Sequence, residues 1–235
     1  MPPGGLPAPR LDSVYVYNPT GDDTAYSFFY DDAGYVVKIH LYDIRSLSMN
    51  MVTDSLVYNS VHQLQTVYTI DVNGIDQSDY LNDVSGALTK VNFRPQQQSI
   101  SHYMLLAYYP GHRVSAMADY VNNTLSAGVT YTYDSIGNLL TEGDTIISSR
   151  SAKHYIFDAY DSRPNFTGLL AGLSYFILPD DLFSLLPVNN VLKKRNTDGK
   201  VYNYSYEYNS AGFPVKRSQS GTGIDSVVVN FYYSK

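Results

Sequence analysis

Tyr131-Thr132-Tyr133-Asp134-Ser135-Ile136-Gly137-Asn138-Leu139 reads as an aromatic strand end, an Asx, two free positions, a Gly and a new apolar run. The phrase returns as Tyr208-Asn209-Ser210-Ala211-Gly212-Phe213 and stands earlier as Tyr30-Asp31-Asp32-Ala33-Gly34-Tyr35. An Asx side chain accepts a hydrogen bond from a backbone N–H two residues on, which starts a type I turn. A Gly three positions later takes the positive φ that closes the turn with a bulge. Such turns join antiparallel strands, so Asp31–Gly34, Asp134–Gly137 and Asn209–Gly212 are read as hairpin tips.

Weaker copies fill the gaps. Asp83-Val84-Ser85-Gly86 keeps both Asp and Gly, Asn59-Ser60-Val61-His62 puts His in the Gly position, and Tyr109-Pro110-Gly111-His112 is a Pro-Gly variant. Tyr160-Asp161-Ser162-Arg163-Pro164 opens like the others and then breaks. From position 34 the phrase recurs at 62, 86, 111 and 137, in steps of 28, 24, 25 and 26 residues. About 25 residues holds two strands and two turns, so each period is one hairpin and its return. The phrase therefore decides the fold before it says anything of function.

Between the turns the side chains alternate. Tyr202, Tyr204, Tyr206 and Tyr208 fall on one face, with Asn203, Ser205 and Glu207 on the other. Val227, Val229, Phe231 and Tyr233 repeat the pattern near the end of the chain. The expectation is a single all-β domain over residues 11–235, a meander of about 12–14 antiparallel strands, twisted and curled toward a barrel. Residues 1–10 (MPPGGLPAPR), rich in Pro and Gly, read as a disordered tether. One stretch departs from strand spacing: Leu169, Leu170, Leu173, Phe176 and Ile177 predict a helical excursion over about residues 166–186, with Pro179-Asp180-Asp181 opening a second short helix.

The phrase at 131–139 resembles the tyrosine–aspartate repeat of Rhs-type shell proteins. Tyr160-Asp161-Ser162-Arg163-Pro164-Asn165-Phe166, followed by the excursion and Asn189-Asn190-Val191, is similar to a family of secreted Bacteroidota lipoproteins of unknown function. So is Tyr206-Glu207-Tyr208-Asn209-Ser210-Ala211-Gly212-Phe213-Pro214. That resemblance runs from about residue 11 to the end and implies a porin-like fold. It implies a secreted, periplasmic or surface-anchored protein, peripheral to a membrane through a lipid anchor on its precursor. The family supplies no catalytic residues. The chain departs from it at His62 and in lacking a Pro after Asn165.

Composition narrows the function classes. A net charge of −6 argues against a nucleic-acid backbone as partner, and none is expected. The basic run Lys193-Lys194-Arg195 reads as a solvated strand end. With no Cys there are no disulfides, thiolate metal sites or Cys nucleophiles. The carboxylate pairs Asp22-Asp23, Asp31-Asp32 and Asp180-Asp181 fall at turns or a helix start, where Asp is expected without any metal. His40, His62, His102, His112 and His154 form no metal-binding spacing. No nucleophile elbow or phosphate loop occurs, so neither a catalytic residue nor a cofactor is expected.

The chain has 24 Tyr and no Trp. Tyr202, Tyr204, Tyr206 and Tyr208, with Phe213 on the next strand, form the candidate binding row, spaced about 6.8 Å apart along the strand. Such a row could hold an extended glycan or peptide, and the expected form is a monomeric binding or structural protein. The rival readings are a glycan-processing enzyme with carboxylates on neighbouring strands and a transmembrane barrel.

Overall fold

The computed structural model describes residues 10–19, 23–44, 52–96, 100–111, 113–165, 170 and 187–234. The first eight strands are β1 (Arg10–Tyr17), β2 (Thr24–Tyr30), β3 (Val36–Asp43), β4 (Val52–Tyr58), β5 (Leu64–Asp71), β6 (Gly74–Asn82), β7 (Leu88–Arg94) and β8 (His102–Tyr109). The second eight are β9 (Arg113–Val121), β10 (Thr124–Tyr133), β11 (Leu139–Ile146), β12 (Ser151–Pro164), β13 (Asn189–Asn196), β14 (Val201–Tyr208), β15 (Pro214–Thr222) and β16 (Val227–Ser234). Each strand pairs antiparallel with its neighbours in sequence, and β1 pairs with β16 from Arg10↔Ser234 to Tyr17↔Val228, closing the barrel.

The meander is as expected, and the described residues form sixteen strands. The strands beyond the expected range come from turns that lack the full phrase. Asn122 and Asn123 turn β9 into β10 with φ of +51° and +62°, using the tolerance of Asn for left-handed backbone. Asn196-Thr197-Asp198-Gly199 keeps the Asx and the Gly but has Arg195 in place of the Tyr, and it joins β13 to β14 through an Asn196 N–H to Lys200 oxygen bond of 3.0 Å. The expected helical excursion lies outside the described residues except for Leu170. Residues 1–9 of the expected tether, His112 and Asp180-Asp181 also lie outside them.

The Asx turns at 31–34, 59–62, 83–86, 134–137 and 209–212 all connect an even strand to the next odd one. In an antiparallel barrel they therefore share one end, where Arg10 and Ser234 also lie. Gly34, Gly86, Gly111, Gly137 and Gly212 have φ between +86° and +105°. At Asp134 one carboxylate oxygen accepts the N–H groups of Ile136, Gly137 and Asn138 at 3.0, 2.7 and 2.9 Å. Burial pushes this carboxyl up, and the three N–H groups with Asn138 more than reverse it, so its pKa lies below the usual value. His62 adopts φ +58° in the same turn geometry, and its ring stacks on Tyr35 at 4.5 Å. That stacking offsets the cost of left-handed backbone in a residue with Cβ.

The Tyr of the phrase has its own task. Tyr30, Tyr58, Tyr133 and Tyr160 donate their hydroxyls to the carbonyl oxygens of Leu11, Val36, Val114 and Leu139 at 2.7, 2.7, 2.9 and 2.7 Å. Tyr108 and Tyr233 do the same to Leu88 and Pro214 at 2.5 and 2.7 Å. Each bond joins the end of an even strand to the start of the odd strand before it, at the end where that pair has no connecting turn. A ring packed inside and a hydroxyl on a neighbouring backbone carbonyl explain why Tyr precedes the Asx turn.

Sixteen strands about 4.8 Å apart and tilted by about 40° have a circumference of roughly 100 Å, wide enough for a water channel. Here apolar side chains occupy much of the interior. Leu11, Val14, Tyr26, Ile39, Val67, Val229 and Phe231 form one buried cluster, which Leu170 joins. Val114, Tyr131, Leu139, Tyr155 and Phe157 form a second, and Leu88, Val91 and Met104 a third.

Candidate functional site

The row Tyr202, Tyr204, Tyr206 and Tyr208 lies on β14 with its rings toward the barrel interior. Register places Tyr206 opposite Arg217 and Tyr202 opposite Lys194, both buried, while Asn203, Ser205 and Glu207 are exposed. The Lys194 ammonium lies 5.1 Å from the Tyr202 ring centre and 4.9 Å from that of Tyr155. The Arg217 and Arg163 guanidinium groups lie 5.3 and 4.2 Å from Tyr204 and Tyr208. The rings of Tyr202, Tyr204 and Tyr208, on which a sugar would stack, therefore carry cations. Phe213 lies in the turn just before β15 and not on that strand, its ring 5.9 Å from that of Tyr233. Lys194 also corrects the reading of Lys193-Lys194-Arg195 as a wholly solvated strand end: in a strand alternate side chains take opposite faces, so the middle residue is buried.

The break after Tyr160-Asp161 is a second feature of the Asx-turn end. Asp161 accepts the Arg163 N–H at 2.9 Å, as a turn Asx does, but no Gly follows and β12 runs on to Pro164. The carboxylate instead takes the Asn190 side-chain amide at 3.1 Å, the Asn190 N–H at 3.3 Å and the Tyr208 hydroxyl. The Asn165 N–H to Val188 oxygen bond of 2.8 Å holds together the two ends of the intervening segment. The Asn189-Asn190 pair thus closes a neck where the other repeats close a turn.

A shallow pocket of about 470 Å³ lies at the Asx-turn end beside Tyr109, Arg113 and Asp134, and a more enclosed cavity lies toward the opposite end, among β2 to β8. Its volume is about 390 Å³. Val67, Val91 and Met104 give it an apolar floor, and Tyr26, Tyr80 and Phe93 line it with rings. Asp54, Thr69 and Asp76 cross it in one row, because Thr69 is the register partner of Asp54 on β4 and of Asp76 on β6. Thr69 donates its hydroxyl to Asp54 Oδ1 at 2.6 Å. Exposed Asp76 and Arg94 mark the rim, where Asp76 accepts the Gln96 N–H at 2.9 Å and Arg94 pairs with Asp79 at 2.7 Å. His102 faces Asp119 at 2.8 Å. None of these residues formed a motif in the sequence; only the alternation of short strands, followed through the register of seven of them, brings them together.

Burial pushes the Asp54 carboxyl above its usual pKa, and the Thr69 hydrogen bond recovers only part of the shift. Burial likewise raises Tyr80, and the charge of Asp54 raises it further. Unfolded Asp titrates near about pH 3.9, so as the pH rises from there through the raised folded value the folded state gives up a proton that it holds more tightly. Stability contributed by Asp54 is thus lost as pH rises. Asp54→Asn is expected to raise the melting temperature at pH 7, and the gain over wild type should shrink to nothing as pH falls below 4. Thermal melts of the two proteins across pH 3.5–7.5 check this; a variant less stable than wild type at pH 7 contradicts it.

No family model matches the chain, and no curated relative does. Among solved structures the chain is similar to a porin-like protein from Bacteroides uniformis ATCC 8492, at 10% identity and a TM-score of 0.68, over 95% of this chain and 98% of that one. The likeness is one of fold. Alignments to the Photorhabdus luminescens Tc holotoxin pore and to TcdB2-TccC3-TEV have 18% and 17% identity and TM-scores of 0.31 and 0.33. They cover 90% and 93% of this chain but only 8% and 10% of those chains.

Proposed function

We propose that this protein is a water-facing binding barrel, secreted or held at a cell surface, that takes its ligand into the mouth of the barrel. The observation that carries the reading is the cavity of about 390 Å³, where aromatic rings converge with carboxylate and hydroxyl acceptors. Its volume falls within the roughly 300–1,000 Å³ of small-ligand sites. Rings beside acceptors suit one unit of a glycan or one side chain of an extended peptide.

The outer surface supports a barrel outside lipid. The pairs Asp158–Arg195 at 3.2 Å and Glu207–Lys216 at 2.9 Å lie on the outward face, as the buried Lys194 and Arg217 beside them on the strands point inward. A lipid-facing band about 25 Å tall is apolar; Arg195 and Lys216 stand near strand ends, where a cation costs about 0–1 kcal/mol, so these pairs weigh less than the interior does. Exposed apolar side chains also stand on this surface, among them Phe29, Val57, Ile70, Ile75, Leu81, Leu105, Leu140 and Tyr232, interspersed with the polar positions. The packed apolar interior also reverses the pattern of a membrane barrel, whose lumen is polar. Any membrane attachment is then peripheral.

Ser78 lines the cavity and is part-buried, so Ser78→Trp fills it. Thermal-shift and titration measurements over a panel of glycans and short peptides should find a ligand that Ser78→Trp abolishes and Tyr204→Ala and Tyr206→Ala leave unchanged. A ligand lost in the Tyr variants and kept in Ser78→Trp overturns this site. One observation favours a second reading: Asp54 and Asp76 stand two strand spacings apart, roughly 9.6 Å, near the separation of the carboxyls in an inverting glycosidase. Release of reducing sugar from a bound glycan, lost in both Asp54→Asn and Asp76→Asn, would establish it.

A further inference from the structure

We propose that the mouth cavity selects a primary ammonium group on an aliphatic stem, the chemistry of a lysine side chain in an extended peptide, with Asp54 as its counter-ion. The inference rests on the reading of this cavity as the binding site and names what that site prefers.

Asp54 is the charge inside the cavity that lacks a match. Among the described residues its one hydrogen bond is from Thr69 Oγ1, at 2.6 Å to Oδ1, and it has no ion pair. Oδ2 is left to whatever enters. Of the other charged groups lining the cavity, Arg94 pairs with Asp79 at 2.7 Å and His102 with Asp119 at 2.8 Å, while Asp76, which accepts the Gln96 N–H, is exposed at the rim where water solvates it. A part-buried carboxylate with half of its acceptor capacity in use is costly to keep ionised, and a fitting cation lowers that cost.

The surroundings fit an ammonium on an apolar stem better than a metal ion or a bare sugar. Tyr80 is close enough to Asp54 to feel its charge, and Tyr26 lines the same cavity. Aromatic faces beside a carboxylate attract an organic cation. Val67, Val91 and Met104 offer dispersion contacts to methylenes and no oxygen ligands. A hard metal ion asks for six or more oxygens, which this lining does not gather around Asp54. Thr69, set between Asp54 and Asp76 by the register, adds a hydroxyl acceptor for a second ammonium proton.

The test uses two probes that differ only in the head: Nα-acetyl-lysine methylamide and Nα-acetyl-norleucine methylamide, titrated calorimetrically into the full chain at pH 7. The expected result is that the lysine probe binds about tenfold or more tightly than the norleucine probe. Asp54→Asn should reduce the lysine probe to the norleucine level and leave the norleucine probe unchanged. This variant keeps the shape of the side chain and an oxygen for Thr69, so a loss of lysine-probe binding in a protein that melts no lower than wild type at pH 7 reports the charge. Equal binding of both probes to wild type, abolished by Ser78→Trp, overturns the ammonium preference and leaves the cavity as the site. Failure of both probes to bind wild type, or binding that Ser78→Trp leaves intact, overturns the cavity reading as well.

Discussion

Gly137→Val is expected to destabilise the protein by about 3 kcal/mol, mostly from left-handed strain of about 1–3 kcal/mol in a β-branched residue, with about 1 kcal/mol more from the displaced Arg113–Asp134 hydrogen bond. Gly137 has φ +105°, and a Cβ there would stand 2.8 Å from Arg113 Nη2 and 2.9 Å from Val188 Cγ2. Arg113 cannot retreat without loss, since it donates to the Asp134 carbonyl at 3.2 Å and lies 5.9 Å from the Tyr133 ring centre. The comparison is Gly199, with φ +80° and open space where its Cβ would be. Gly199→Ala carries the conformational term alone, about 1 kcal/mol. In a chain of this length the two should lower the melting temperature by roughly 6–12 °C and 2–4 °C. Equal effects would mean that the turn glycines serve conformation only and that the Arg113 contact is incidental.

Asp161→Ala is expected to cost about 3 kcal/mol or more, because it strands partners as well as removing bonds. The carboxylate holds the Asn190 amide, the Asn190 N–H, the Arg163 N–H and the Tyr208 hydroxyl. Asn190 is 2% exposed and already has one unsatisfied side-chain oxygen, so its amide cannot turn to water. Asp161→Asn keeps the shape and one acceptor, and should recover part of the loss. Denaturant melts of the two variants measure it; an Asp161→Ala protein within 0.5 kcal/mol of wild type, the ordinary range for surface changes, contradicts this account of the neck.

These effects also mark what the sequence could reveal. Asp134-Ser135-Ile136-Gly137 is local chemistry: the acceptor and the donors it satisfies lie within four residues, so the turn is legible from the letters alone. Asn122-Asn123 was harder, since Asn marks left-handed backbone less sharply than Gly, and that turn helped to hide the strand count. Period-2 alternation correctly grouped Tyr202, Tyr204, Tyr206 and Tyr208 on one face. It does not say which face is inside, because that depends on β1 meeting β16, residues more than two hundred positions apart. Lys194 was misread for the same reason. The cavity was least legible. Asp54, Asp76 and His102 are ordinary strand residues until the registers of β4 through β8 align them, and register is set by pairing along the whole sheet.

The central proposal is that this barrel, with its buried apolar clusters inside, stands in water. Sedimentation of the full chain in detergent-free buffer, paired with conductance across a planar bilayer, tests it most directly. The account predicts a single species at the 26.3 kDa of one chain and no conductance above the bare membrane. Aggregation that detergent reverses, together with stepwise channel currents, would contradict it and make this a membrane barrel.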